Sequence, residues 1–457
     1  MENKIQEFIC SNEREIVRNL AELVAIPSVK GEPCKDAPFG KEPKDALLKM
    51  RAFCDEMGFK TTIYGDAVLC ADYGEDIELG ILAHLDVVPV QESNWKTNPF
   101  ELVERDGVLY GRGAIDDKGP AVASLWALKA VKELGIPLKK GVRLIFGTDE
   151  ENGSEDLEIY KKHAKFPPNV FTPDGSFPVI NIEKGMLRLS FSGTLGGNFS
   201  IEFRGGNIPN AVADKAKTIL RGVSADKANS LIEPPVEGEP SPRFTVSERG
   251  NGVLISCDGK AAHASTPETG INAVTALLPL VSRLMNEEIL SGLTELFPFG
   301  ETDGAALGLK CADESGALTC VLSTLTIIPS GEMSGTVDIR FPTCTDLESV
   351  KGKVFSALEK IGLKCEVILG DEPHIVSEES EFVRKLLSVY ERVEGEKGHC
   401  IAIGGGTYVH NIPGGVAFGA ERGETDYHMH GDNEFITVDE LLKDAVLYAN
   451  AIIEICG

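Results

Sequence analysis

Two apolar runs of this chain, Leu79–Val90 and Val142–Phe146, carry ionisable residues within them or shortly after them. Nothing else in the sequence limits the fold as tightly. A nearly unbroken apolar run of this length predicts a strand covered on both faces, because a half-exposed strand alternates apolar with polar residues. The covering layers are legible as helices. Ile5, Phe8, Ile9, Ile16, Leu20, Leu23 and Val24 have helical spacing over 4–26. A second helix is predicted from Asp45 to Met57. A third starts at Pro120, a residue suited to a first helical position, and runs to Leu134 with Val122, Leu125, Trp126, Leu128 and Val131 on one side. Thr61–Tyr64 and Val68–Ala71 read as further strands. Such alternation over the first 185 or so residues implies an α/β layered domain.

The middle of the chain differs. Leu187–Ser192, Phe199–Phe203, Phe244–Ser247, Val253–Cys257, Cys320–Ile328 and Gly335–Phe341 read as strands, with helices over Ile271–Met285 and Leu347–Ile361. This is an antiparallel α+β pattern inserted within the first domain. Helices over Phe382–Val393 and Thr437–Ile453 return to the earlier style, and Thr437 with Glu440 forms a capping box. A chain of 457 residues favours two domains. The predicted division is 1–186 plus 375–457, with 187–374 as the insert. Glu233–Pro242 reads as a stiff, acidic surface loop.

There are 71 acidic and 45 basic side chains, a net charge of −26. That balance argues against nucleic acid or an anionic membrane as partner, since both need a basic surface. No apolar run approaches the roughly 18 residues of a membrane span, and the first residues lack a signal-peptide core. The 11 cysteines, none in a C-x-x-C pair, read as reduced thiols of a cytoplasmic protein. Cys257 and Cys344 need no redox role.

Five segments carry the polar chemistry. His84 and Asp86 close the first apolar run, where period-two geometry puts both on one face and lets the carboxylate orient the imidazole. Alone, His84 reads as a satisfied core histidine. Gly111-Arg-Gly-Ala-Ile-Asp-Asp-Lys-Gly-Pro120 places Asp116 and Asp117 before a helix, where an Asp N-cap is the plain alternative. Asp149, Glu150 and Glu151 follow the second apolar run, beyond a strand's carboxyl end, where α/β sheets place their sites; a solvated loop is the alternative. Thr172-Pro-Asp-Gly175 alone is a turn. His428, His430 and Glu434 make the fifth segment.

If these strand ends converge, Asp86, Asp116, Glu150, Glu151 and Asp174 share one cleft. Carboxylates so crowded do not all stay ionised without counter-charge. Two divalent cations supply it, and mixed histidine and carboxylate donors suit zinc, or manganese in a harder site. A carboxylate bridging two ions makes a two-metal hydrolase site that acidifies a shared water. A neighbouring carboxylate outside the ligand set then takes the proton as general base.

These residues resemble the dinuclear zinc metallopeptidases that include carnosinase, aminoacylase, carboxypeptidase G and acetylornithine deacetylase. The resemblance rests on His84-x-Asp86, Gly111-Arg-Gly-x-x-Asp116-Asp-Lys-Gly-Pro120, Glu150-Glu151, Pro173-Asp174 and His430-x-x-x-Glu434. Within that family the chain is most similar to the bacterial PepV-like dipeptidases, the Xaa-His dipeptidase type. Phe171-Thr-Pro-Asp174, Ala262-His-Ala-Ser265, Gly404-Gly-Gly-Thr-Tyr408 and Gly415-Val-Ala-Phe-Gly419 point there. One departure is Asp426-Tyr-His-Met-His430, where the family usually has small residues.

The resemblance implies a fold and a set of roles. The fold is a two-domain α/β metallopeptidase whose inserted α+β lid has two ferredoxin-like halves. Asp116 bridges two metals, His84 and Asp174 complete one site, and Glu151 and His430 complete the other. Glu150 is the general base, Asp86 orients His84, and the Asp116–Asp117 peptide is cis. His263 stabilises the oxyanion once the lid closes, Arg340 clamps the substrate carboxylate, and Asn210 helps bind substrate. Outside the resemblance, His263 reads as a surface residue and Arg340 as a structural ion pair. Gly404–Thr407 lacks the Lys-Ser/Thr of a P-loop; backbone amides near Gly406 and Thr407 are candidates to hold a substrate carboxylate.

The expected activity is metal-dependent hydrolysis of dipeptides through a water between two divalent cations, with Glu150 as base. The expected state is a cytoplasmic monomer. One alternative is an N-acyl amino acid deacylase of the acetylornithine deacetylase or succinyl-diaminopimelate desuccinylase type. Another is a catalytically inactive metal-binding protein, against which Glu150 argues.

Overall fold

A computed structural model describes residues 2–196, 201–234, 240–423 and 425–457. The chain forms two compact units, Met1–Ile182 with Ile375–Ile401 and Gly406–Gly457, and Glu183–His374 with Ala402–Gly405.

The first unit is built on a mixed sheet. Its order runs Lys60–Tyr64, Val68–Tyr73, Gly141–Gly147, Ile77–His84, Asn169–Thr172, Val416–Ala417 and Val179–Glu183. Ile77–His84 pairs in parallel with both Gly141–Gly147 and Asn169–Thr172, whereas the first two strands pair antiparallel. Burial on both faces explains the unbroken apolar runs. Leu69, Ala71, Ile81, Ala83, Leu144 and Phe146 enter the core beneath the helices Lys118–Glu133 and Val438–Cys456. The alternate residues Val68, Cys70, Leu82 and Ile145 face Leu157 and Tyr160 of helix Glu155–His163 and the buried Tyr408.

The second unit holds an antiparallel sheet. Its order is Arg243–Arg249, Gly252–Asp258, Lys215–Arg221, Ile201–Gly205, Thr319–Ile327, Glu332–Phe341, Gly185–Thr194 and Lys364–Asp371. Two four-strand halves meet where Ile201–Gly205 pairs with Thr319–Ile327. Helices Ala273–Met285 and Leu347–Lys360 bury their apolar sides in the shared core.

Several element boundaries depart from the sequence pattern, among them the helix expected from Asp45, which starts at Lys41. The helix over 4–26 is interrupted at Asn12, whose side-chain amide donates to Phe8 O at 2.7 Å. That bond competes with the helical ladder. The strand in Leu79–Val90 stops at His84, after which Leu85 O accepts from the Ser28 hydroxyl and Val87 N donates to Ser28 O. The helix expected at Pro120 begins at Lys118, and a proline at the third position still falls among the amides that lack an intrahelical acceptor. Phe199 and Ser200 of one predicted strand, and 235–239 of the predicted acidic loop, lie outside the described residues.

The Thr437–Glu440 capping box is present. All eleven cysteines are free thiols. Among the described residues no helix is long and apolar enough to cross a membrane.

Trp126 is 1% exposed, and its indole N–H donates to Asn19 Oδ1 at 2.9 Å. Trp126→Ala removes both the packing and the hydrogen bond. It should cost about 3–5 kcal/mol, read as a lower urea midpoint by circular dichroism.

Candidate active site

Parallel pairing puts the carboxyl ends of three strands of the first unit at one edge. His84 is in register with Gly147, so the Thr148–Glu151 turn begins beside it. Asp174 follows Asn169–Thr172 on the other flank. The loop ending in Asp116 precedes helix Lys118–Glu133. His430 comes from the loop before Phe435–Thr437.

Ligand-type atoms gather here in two groups, His84 with Glu150 and Asp174, and Asp116 with Glu151 and His430, each set within 4.8 Å. Asp116 joins the groups. Its Oδ1 lies 3.0 Å from His84 Nε2, and its Oδ2 lies 3.0 Å from His430 Nε2. His430 Nε2 is also 3.0 Å from Glu151 Oε2, and His84 Nε2 is 3.7 Å from Asp174 Oδ2.

Each group is held by main-chain contacts. Four successive amides of the Thr148–Glu151 turn donate to two buried carboxylates. Thr148 and Asp149 donate to Asp156, while Glu150 and Glu151 donate to the two oxygens of Asp86, each at 3.1 Å. Asp86 thus grips the turn carrying both glutamates, and its carboxylate is 3.5 Å from His84 Nδ1. That nitrogen is closer to the Asp86 carbonyl oxygen, at 3.1 Å. His84 N donates to Asp117 Oδ2 at 2.9 Å, and the Asp116–Asp117 peptide is cis.

Glu434 is buried and accepts from the Arg112 guanidinium and from the amides of Gly113, Ile115 and Asp116. Arg112 also donates to Gly431 O at 2.8 Å. The Asp116 loop and the His430 loop are therefore locked together. Glu434, Arg112 and Asp156 were not singled out as site residues from sequence; only the four-residue spacing from His430 marked Glu434. Tyr408 was legible only as part of a motif. Its hydroxyl donates to Asp156 at 2.5 Å, and its ring meets His84 edge-on at 5.9 Å between centroids.

The residues fit two cations. The Asp86 carbonyl only accepts, so His84 Nδ1 carries the hydrogen and Nε2 presents a lone pair. That lone pair faces Asp116 and Asp174, and among the described residues Nε2 is a buried atom without a hydrogen-bond partner, as is Glu151 Oε1. Lone pairs meeting at 3 Å need a positive centre between them. Electrostatics agree. Burial drives the Glu150 carboxyl well above its ordinary range and pushes Asp174 up to about 7, with the Asp116 charge adding to both.

The other sequence-derived residues behave differently. Asn210, His263 and Arg340 belong to the second unit, and Gly406 and Thr407 to the first. His263 is exposed, with Nδ1 2.6 Å from Ser265 Oγ. Its neighbour Ala264 donates to Asn210 O and accepts from the hydroxyl of Thr319, the cross-strand partner of Arg340. Arg340 is buried against Asp338, which receives its Nε at 2.6 Å; Nη1 donates to Gly404 O at 3.1 Å. With Nη2 also on Asp338, two of the five guanidinium N–H groups are left among the described residues. Asp338, also bonded to Arg188, was not recognised from sequence. Its place two residues before Arg340 on one strand face was the available signal.

Glu434→Gln keeps the side-chain shape and removes the charge that gathers the Asp116 loop. Zinc affinity of the group containing His430 should fall about 10- to 100-fold, measured by calorimetric titration of metal-free protein, with the thermal midpoint checked in parallel.

Comparisons with known proteins address the family and the fold. The model of Peptidase family M20/M25/M40 matches residues 80–454. The YtjP protein of Bacillus subtilis (strain 168) is 32% identical over 463 residues, covering 98% of each chain. The Beta-Ala-Xaa dipeptidase of Lactobacillus delbrueckii subsp. lactis is 31% identical over 471 residues, covering 100% of this chain and 99% of its own. The crystal structure of human carnosine dipeptidase 1 shares the fold, with a TM-score of 0.64 at 17% identity over 99% of this chain and 98% of that one. A match over most of the chain, with full-length relatives, leads to one assignment: this chain belongs to Peptidase family M20/M25/M40 and is a hydrolase acting on peptide bonds.

Proposed function

We propose that the protein is a metal-dependent dipeptidase that works with two divalent cations, zinc in preference to manganese. One observation carries this reading: Asp116 offers one oxygen to each of two ligand groups, beside a glutamate pair on a rigid turn. The full-length likeness to a Beta-Ala-Xaa dipeptidase supports the substrate class. His84, Asp116 and Asp174 would hold one ion, and Asp116, Glu151 and His430 the other. When bound, the ions supply Lewis acidity, polarising the scissile carbonyl and acidifying a water between them.

The chain's own residues do the rest. Glu150 accepts the proton of the attacking water and passes it to the leaving amine, so the proton count closes. Asp86 holds the Glu150 amide and so fixes the base. Arg340, oriented by Asp338, has two N–H groups for a substrate carboxylate. His263 is read as the oxyanion donor, and Asn210, Gly406 and Thr407 as substrate contacts. We read residues 1–186 with 375–457 as the catalytic domain and 187–374 as the lid. We also read the protein as a cytoplasmic monomer, for which eleven free thiols speak in respect of compartment.

The test is metal-free protein reloaded with zinc or manganese and assayed on dipeptides beside N-acetyl and N-succinyl amino acids. Dipeptides alone should be cleaved. Glu150→Gln should lower kcat about 10²- to 10⁴-fold while elemental analysis still finds two ions per chain. Loss of an ion in that variant would make Glu150 a ligand instead of the base. Turnover of acylated substrates alone would move the protein to the deacylases.

A further inference from the structure

A dipeptidase must tell a free amino terminus from an acylated one, and a carboxylate outside the two ligand groups is suited to that choice. Several acidic residues near the groups are already committed. Asp86, Asp117, Asp149 and Glu434 are all buried, and each accepts a main-chain amide or pairs with a cation. Glu421 is different. It lies in neither ligand group, and it is half-buried, so it keeps access to solvent.

Its placement is firm. Glu421 N donates to Gly175 O at 2.8 Å, and Phe177 N donates to Glu421 O at 2.9 Å. The pair Ser176–Glu421 forms a parallel bridge. The residue thus runs beside the loop that carries Asp174. Its Oε1 is 3.3 Å from the Ser176 hydroxyl. The adjacent cation does not neutralise it, because Arg422 is engaged with Asp444 at 2.6 Å and with Glu394 at 3.3 Å.

We propose that Glu421 is the specificity residue that receives the free ammonium group of the substrate. This rests on the dipeptidase reading above and deepens it. An ammonium brings three donors and a positive charge, which a partly desolvated carboxylate beside the ligand groups can meet. An N-acyl substrate brings one neutral N–H, so the same carboxylate gains little from it. Discrimination of this kind comes from a polar group left unpaired by the wrong substrate.

The experiment compares the zinc-loaded wild type, Glu421→Gln and Ser176→Ala on alanyl-alanine and on its N-acetyl form. Glu421→Gln should lower kcat/KM for the free dipeptide about tenfold or more, mainly through KM, with the acetylated form changed less than about twofold. Ser176→Ala keeps the charge and should keep the wild-type preference. An unchanged preference in Glu421→Gln overturns the proposal. So does an equal loss in Ser176→Ala, which would make Glu421 a structural partner of the loop. Calorimetric binding of alanyl-alanine to Glu150→Gln, with and without Glu421→Gln, gives a readout free of turnover; equal affinities also overturn it. Wild type that cleaves no free dipeptide refutes the dipeptidase reading itself, whereas dipeptide cleavage with an unmoved preference refutes only the role of Glu421.

Discussion

A single carboxylate between two imidazoles is the constraint around which the first unit is arranged. Asp116 gives one oxygen to His84 and the other to His430, although those histidines lie far apart in the chain. Holding an anion there, with Glu150, Glu151 and Asp174 close by, runs against both Coulomb repulsion and the cost of burial. The surroundings offset that cost by rigidity. Glu434 collects the amides of the Asp116 loop, and Arg112 ties the same loop to Gly431.

The same device recurs. Acidic residues that touch no ligand atom hold the loops that do, through hydrogen bonds from main-chain amides. Asp86 and Asp156 between them take four amides of the turn bearing the glutamate pair. In the second unit Asp338 lies between Arg188 and Arg340 and sets the orientation of the latter. A strongly acidic chain is thus not merely a charged surface. Part of its excess charge is structural and internal.

Much of the fold was legible because burial leaves a pattern. Ile81, Leu82 and Ala83 are all apolar since alternate residues meet different helical layers. Thr437 and Glu440 marked a helix start through a local hydrogen-bond pair. Where prediction slipped, a side chain intervened. Asn12 interrupts a helix by bonding Phe8 O, and the contacts of Ser28 draw the chain away after His84. Neither effect has a periodic signature.

The ligand-type residues could be read from sequence because each sits at the end of a recognisable strand or before a recognisable helix, and the chemistry needs those residue types. What the sequence alone determined, then, was which ligand-type residues stand at the strand ends and which strands bear them. Only the tertiary structure decided how they are held: Glu434 under the Asp116 loop, Asp86 on the amides of both glutamates, Tyr408 against His84, and Glu421 beside the Asp174 loop. The physical reason is range. Helix and strand periodicity arises from neighbours a few residues apart, whereas a buried carboxylate finds its donors through space, some more than 300 positions away.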